Sequence, residues 1–385
     1  MRRIFYLSLL AALISCLYFS VAQAALTFRD FNRARDNFAQ KYGTRFGFVF
    51  NYTQQVIMHS QHDEGKSRGL WYWNLDLAQA LWPGGSLVVE FEVDKNKGVD
   101  KFLPTFSEFN INTGENTNLY IPELYLEQEL FKERIYLAAG KLDLSDWFDA
   151  NEVANCGDTQ FLSTALIGTQ TIPFPRKGIG AMMLFKPWDW VYFESGAATA
   201  RATSTKTGLS DAFNSTFFIN EFGFSPKFGS LQGNYRFIFY LNYQELARIN
   251  DEEEGVKNKD FGFALSFDQA ITERISLFLR YGFADHEVRD IAYFWSAGGQ
   301  ITEPIPGRKF DCLGIGMARS IMGDDYRTAN EPEVAYAETM YEIYYSYYLN
   351  DLITLTPNIQ VVTNPYADKT APDELVCGIR FLLCF

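Results

Sequence analysis

A few groups of residues carry the side-chain types that chemistry needs. Gly65-Lys66-Ser67-Arg68-Gly69 matches the G-x-S-x-G pattern in which a serine hydroxyl acts as nucleophile. That role requires a strand-to-helix elbow, whereas this stretch is a polar link between two alternating apolar segments. His59 and His62, with Asp63 and Glu64, bring metal-donor atoms to the same link, but without helical spacing or a third ligand. The run Asp251-Glu252-Glu253-Glu254 reads as a solvated loop tip, with divalent-ion bridging to lipopolysaccharide as its alternative. His286 is the remaining histidine, which leaves little for a dyad or triad. No glycine-rich phosphate cradle follows a strand and opens a helix. The expectation is a protein that is not an enzyme and takes no metal or cofactor.

The elements must then be read for what else they position. The chain has 385 residues, with 47 acidic against 34 basic side chains, and supplies no basic stripe for a nucleic acid. Its mean hydropathy of -0.14 excludes a polytopic helical membrane protein. Disorder is excluded by 35 Phe and 22 Tyr, which can bury ample surface. Residues 1–24 read as a secretory signal peptide: Arg2 and Arg3 precede an apolar run, and Ala22-Gln23-Ala24 gives small residues at cleavage spacing. Cys16 within Leu13-Ile14-Ser15-Cys16 offers a lipidation site as the competing reading. Cys156, Cys312, Cys377 and Cys384 are too few and too scattered for a disulfide scaffold. By strand parity Cys377 points to lipid and Cys384 to the lumen.

Residues 25–43 form a separate N-terminal segment. Phe28, Phe31, Phe38 and Tyr42 fall at helical spacing among Arg29, Asp30, Arg33, Arg35 and Asp36. This predicts a short periplasmic helix, one tucked into a barrel mouth as a plug, or a frayed leader.

From residue 44 to 385, period-2 alternation dominates. In 375–385 the odd positions are Leu375, Cys377, Ile379, Phe381, Leu383 and Phe385, against Gly378 and Arg380 on the other face. Tyr235, Phe237, Phe239 and Leu241 alternate with Asn234, Arg236, Tyr240 and Asn242 in the same way. About sixteen such segments of roughly ten residues each occur, the length of a tilted membrane strand. They are placed near 44–57, 69–80, 85–94, 118–130, 134–142, 178–186, 190–200, 214–224, 230–243, 259–268, 274–285, 289–299, 308–319, 335–348, 352–364 and 374–385. Short and long links alternate between them, apart from a short 286–288 and a longish 300–307. One end of a barrel carrying turns and the other carrying loops gives that alternation, and a sandwich has no reason to. Trp71, Trp73, Trp188, Trp190, Tyr192, Tyr345, Tyr347 and Tyr348 near strand ends suit aromatic girdles. The expected fold is all-β: a transmembrane antiparallel β-barrel of about 16 strands with a short N-terminal helix.

The set opposite the apolar face then lines a pore. Glu90, Glu92, Arg236, Arg280, Glu338, Glu342 and Arg380, with Asn358 and Gln360, are the candidates for solute contact. A wall of both signs, amides and rings suits sugars, whereas a simple ion pore shows a ring of one sign. The longest link, 143–177, is the candidate constriction loop, with Asp143, Asp146, Trp147, Phe148, Asp149 and Asn151 available to a solute.

Gly140-Lys141-Leu142-Asp143-Leu144-Ser145-Asp146-Trp147-Phe148-Asp149, followed by Thr171-Ile172-Pro173-Phe174-Pro175, resembles the OprB family of carbohydrate-selective porins. So do Tyr344-Tyr345-Ser346-Tyr347-Tyr348-Leu349, Leu355-Thr356-Pro357-Asn358-Ile359-Gln360-Val361-Val362 and Asn364-Pro365. The resemblance implies a sixteen-stranded bacterial outer-membrane channel for monosaccharides such as glucose, with Arg and Glu at its constriction. The terminal Phe385 resembles the signal by which the barrel-assembly machinery recognises such chains. Small sugars, outer-membrane lipid and lipopolysaccharide are the expected partners, and the barrel works as a monomer or a trimer.

Overall fold

A computed structural model describes residues 21–114, 118–202, 208–209, 214–249 and 255–385, with side chains from residue 31 onward. Most of the expected leader, Cys16 and the Asp251–Glu254 run lie outside the described residues. Helix α1 spans Val21–Tyr42 and leads into the first strand.

Sixteen long antiparallel strands follow. They are β1 (Thr44–His59), β2 (Ser67–Trp82), β3 (Gly85–Lys95), β4 (Leu124–Leu130), β5 (Ile135–Leu142), β6 (Gly178–Trp188), β7 (Val191–Thr199) and β8 (Thr216–Phe224). The second half comprises β9 (Leu231–Asn242), β10 (Asp260–Ala270), β11 (Ile275–Ala284), β12 (Ile291–Thr302), β13 (Cys312–Met322), β14 (Ala337–Tyr348), β15 (Ile353–Thr363) and β16 (Glu374–Cys384). Each pairs with its sequence neighbours, and β1 pairs with β16 from Val49↔Cys384 onward, which closes the sheet. Closure removes both edges, the only way a sheet can stand in lipid with every backbone group satisfied.

The alternation has its expected physical reading. In β9, Phe237 and Phe239 project outward while Ile238 and Tyr240 are buried inside. Seven links lie at one end, from 83–84 to 349–352, and eight at the other, from 60–66 to 364–373, and short and long alternate except around β12. The two strained links of the sequence reading remain the exception. Strand β12 runs to Thr302, so the turn is 303–311, and the opposite link widens to 285–290.

Two expectations need correction. The segment 118–130 is a strand only from Leu124; its first part is loop touching the wall at Tyr120, which bridges Glu92. Tyr192 is not a girdle residue, because its parity turns it inward, where its hydroxyl donates to Glu221.

The barrel is not hollow. Loops 96–123 and 143–177 fold into the lumen, and the buried apolar core lies between them and the wall. Phe109, Phe161, Leu166, Phe278, Phe294 and Tyr344 form one cluster; Leu144, Phe148, Ile172, Phe217 and Tyr240 belong to another. Close approach of loop to wall needs glycine in the strands. A Cβ at Gly282 would lie 2.0 Å from Thr171 Oγ1, and one at Gly316 would lie 2.8 Å from Leu166.

Candidate functional site

The inward charges do most of their bonding with loop backbone. Arg280 on β11 is fully buried; its Nη1 donates to Leu166 O at 3.1 Å and its Nη2 to Asp149 O at 3.0 Å. Its Nε reaches Asp149 Oδ1 at 3.2 Å. Arg380 on β16 donates to Gly157 O at 2.6 Å and Gln160 O at 3.0 Å. Glu342 on β14 accepts from the amides of Leu162 and Ser163 at 2.8 and 3.0 Å. Gln360 on β15 donates to Glu342 at 3.1 Å and to Phe109 O at 2.8 Å, so its amide ties loop 96–123 to the wall beside the Glu342 anchor of loop 143–177. Asn358 lies beside it, 3.4 Å from Glu342. Glu338 accepts from the amides of Phe106, Ser107 and Tyr366. All six point into the barrel, and all but Asn358 bond there to loop chain.

Arg236 on β9 is likewise enclosed, donating to Asp268 Oδ2 at 2.7 Å and lying 3.8 Å from Glu221. Asp149 is the knot of loop 143–177. It sits at φ 61°, a left-handed conformation that asparagine and aspartate tolerate better than most side chains. Its carboxylate accepts from Arg280 and from the Thr169 amide and hydroxyl, and its own amide donates to Glu221. Asn151 donates to Ser266 and Phe267 O, stitching the loop to β10. Phe148 packs in the core, and Trp147 meets the Tyr125 ring edge-on at 5.7 Å.

Open space remains beside these anchors. A polar cavity of about 580 Å³ lies between β3, loop 96–123 and the two ends of loop 143–177. Glu92, Asp94, Lys97, Glu108, Tyr120, Asp143, Arg176 and Lys177 line it. A second cavity of about 920 Å³ between the two loops is bordered by Phe106, Asp146, Phe148, Asp149, Phe174 and Arg176. Of the residues expected at the site, Glu92 and Asp143 reach the first cavity, and Asp146, Phe148 and Asp149 reach the second.

Lys177 organises the first. Its Nζ lies 2.9 Å from Glu90, 3.3 Å from Glu123 and 3.8 Å from Glu92. Burial works against its ammonium, but Glu90, Glu123, Glu92 and Asp143 outweigh that and hold its pKa above the ordinary lysine value. Tyr120 donates its hydroxyl to Glu92 at 2.8 Å. Glu123, Asp143 and Asp146 converge to within 4.8 Å, the one such acidic trio among the described residues. Burial and then the Asp146 charge push Glu123 up to about 9. Asp146 moves upward too, through burial and then the Asp143 charge. Lys177 at 3.3 Å from Glu123 competes with any cation there.

The catalytic patterns assemble nothing comparable. Ser67 begins a strand and donates to Gln55 O at 3.2 Å. His59 meets only Glu64, at 3.8 Å, and His286 lies 2.9 Å from Asp325.

Lys177, Arg176, Asp94 and Tyr120 escaped the sequence reading. Asp94 was readable, since it continues the Glu90–Glu92 face by one step. Lys177 directly precedes β6 at the end of the long loop, where nothing local reveals that it turns into an acidic wall.

Comparison with known proteins agrees with this architecture. The chain is similar to Porin B of Pseudomonas aeruginosa, at 22% identity over 323 residues, covering 71% of this chain and 69% of that protein. An uncharacterised protein of Nostoc is 22% identical over 358 residues, covering 80% of this chain and 58% of its own. Among solved structures, the high-pH form of Pseudomonas putida OprB matches with a TM-score of 0.80 at 16% identity, covering 92% and 97% of the two chains. The outer-membrane channel DcaP of Acinetobacter baumannii gives 0.55 at 12% identity, covering 89% and 97%. The model of the carbohydrate-selective porins, OprB family, matches residues 72–385, from β2 to the last residue. The barrel, the two infolded loops and that match together place this chain in the OprB family of carbohydrate-selective porins.

Proposed function

We propose that this chain is a passive channel for small neutral sugars, monosaccharides in particular, across a bacterial outer membrane. Loop 143–177 narrows the pore, and Lys177 with its carboxylates forms the selective wall. The observation that carries this is the roughly 580 Å³ cavity in which Lys177 and Arg176 face Glu92, Asp94, Asp143 and the Tyr120 ring. A sugar presents hydroxyls that both donate and accept, and apolar CH faces that lie against rings. Ammonium and guanidinium groups beside carboxylates offer both kinds of partner within one wall.

In this reading Arg280, Arg380, Glu338, Glu342, Asn358 and Gln360 set the pore by holding the loops rather than by touching solute. The turn end faces the periplasm, as in other outer-membrane barrels. Phe385 supplies the assembly signal, and lipopolysaccharide surrounds the loop end.

Single-channel recording of refolded protein in planar bilayers, with titration of glucose, maltose and succinate, tests the proposal. Saturable block by glucose but not by succinate is expected, and Lys177→Met is expected to weaken it. An open channel indifferent to sugars would overturn the selectivity while leaving the pore.

A further inference from the structure

Helix α1 neither plugs the barrel nor hangs free of it. Phe31 meets Phe385 edge-on at 4.9 Å, and Phe38 meets Phe46 at 6.1 Å. Phe385 and Phe46 belong to the outward, lipid-facing set of β16 and β1, and Phe385 also stacks on Phe48 at 5.4 Å. The helix is therefore laid against the outer rim of the turn end, across the seam where first and last strands meet.

Phe31, Phe38 and Tyr42 are spaced by seven and four residues and so form one stripe. The barrel covers this stripe incompletely: the three rings remain 37%, 42% and 54% exposed. Arg33 stands away from the stripe and Arg35 at its border, Lys41 holds its Nζ 4.9 Å from the Tyr42 ring centroid, and Asp36 is the one acid over residues 31–42. Aromatic rings on one face and cations around them are the composition of a helix lying in a membrane interface.

The rest of the rim says what that surface meets. Going round the barrel, exposed apolar or aromatic side chains stand in or beside six of the seven turns at the same end: Trp82, Phe131, Trp188, Phe228, Ile271 and Phe310. Such a ring is an interfacial girdle. At the β16–β1 seam there is no turn to carry one, because the chain enters and ends there. Helix α1 fills that gap, continuous with the girdle through Phe385 and Phe46.

We propose that α1 is an interfacial helix that seats Phe31, Phe38 and Tyr42 among phospholipids of the periplasmic leaflet, closing the girdle at the seam. The orientation rests on the outer-membrane reading above; the lipid contact does not depend on which solute passes the pore. The basic groups then lie at the level of the lipid phosphates, which attract them.

The test places a photoreactive benzoylphenylalanine at 31, 38 or 42, or at 40 on the opposite face, in full-length protein assembled in native outer membranes. Phospholipid adducts are expected at 31, 38 and 42 and not at 40. Adducts with lipid A, with another protein or only within the chain would each overturn the proposal. A smaller diazirine side chain at the same positions keeps the test if the bulky probe prevents assembly. Conductance of the same labelled proteins is recorded alongside, so that loss of the lipid contact is told apart from loss of the channel.

Discussion

At the scale of single residues, the molecule uses buried charge to bind backbone. Removing Arg280 leaves the Asp149 carboxylate enclosed without its cation, a loss of about 3–5 kcal/mol in comparable buried pairs. The loop, not the barrel, bears that loss. Arg280→Ala is therefore expected to raise conductance and current noise in bilayers while the heat-resistant barrel still forms. An unchanged, quiet conductance would show that the loop is held by its apolar contacts alone. Glu123 predicts a pH effect of definite sign. Its carboxyl is raised from the ordinary 4.5 to about 9 when the loop is docked, so the docked state holds more protons than the undocked one across that interval. Docking should weaken steadily as pH rises from the ordinary carboxyl range towards about 9, and level off above. The charges that face Glu123 at that point are Lys177, Glu90, Asp143 and Asp146. Channel noise measured between pH 5 and pH 10 should climb with pH, and Glu123→Gln should flatten the curve. A rise on acidification would reverse the argument.

At the scale of elements, strand and loop follow different rules of legibility. Strands such as β9 and β16 were visible because one face meets lipid and the other meets protein, and a period of two is the local trace of that. Their positions followed within a few residues. The inward folding of 143–177 was suggested by its length, but its contacts were not readable: Arg380 meets Gly157 across 223 positions, and Gln360 meets Phe109 across 251. No local pattern encodes which carbonyl a distant guanidinium will find. Most candidate pore residues chosen by strand parity were for that reason found inside the barrel, yet beneath the loop, whereas Glu92 lines the open cavity. The open wall joins Glu92 and Asp94 of β3 to residues beside strand ends, Asp143, Arg176 and Lys177. If this loop sets the pore, then shortening it between Ala150 and Thr169 should raise conductance and abolish glucose block together. Conductance that stays low would assign the constriction to loop 96–123.

At the scale of the whole molecule, Phe385 has a structural part. Phe385 exchanges two backbone hydrogen bonds with Phe48, at 3.0 and 2.9 Å, so the final residue completes the ladder that closes the barrel. Its ring carries both Phe48 and helix α1. Deleting Phe385 should lower the yield of folded barrel in cells far more than in detergent refolding, if assembly machinery reads the residue as well as the seam needing it. Equal losses in the two settings would leave only the seam. The same closure makes the wall tolerant of a crowded interior, since strand pairing does not depend on the loops packed inside.

Most of the anchors described above grip carbonyls and amides; they depend on the identity of a loop side chain at Asp149, Asn151, Asp158 and Gln170. A grip on the main chain is indifferent to what the loop carries outward. Substitutions at Asn155 or Arg176 can therefore re-letter the pore surface while the loop keeps its path. The barrel thereby separates the problem of shaping a channel from the problem of choosing a solute, and lets the second drift without reopening the first.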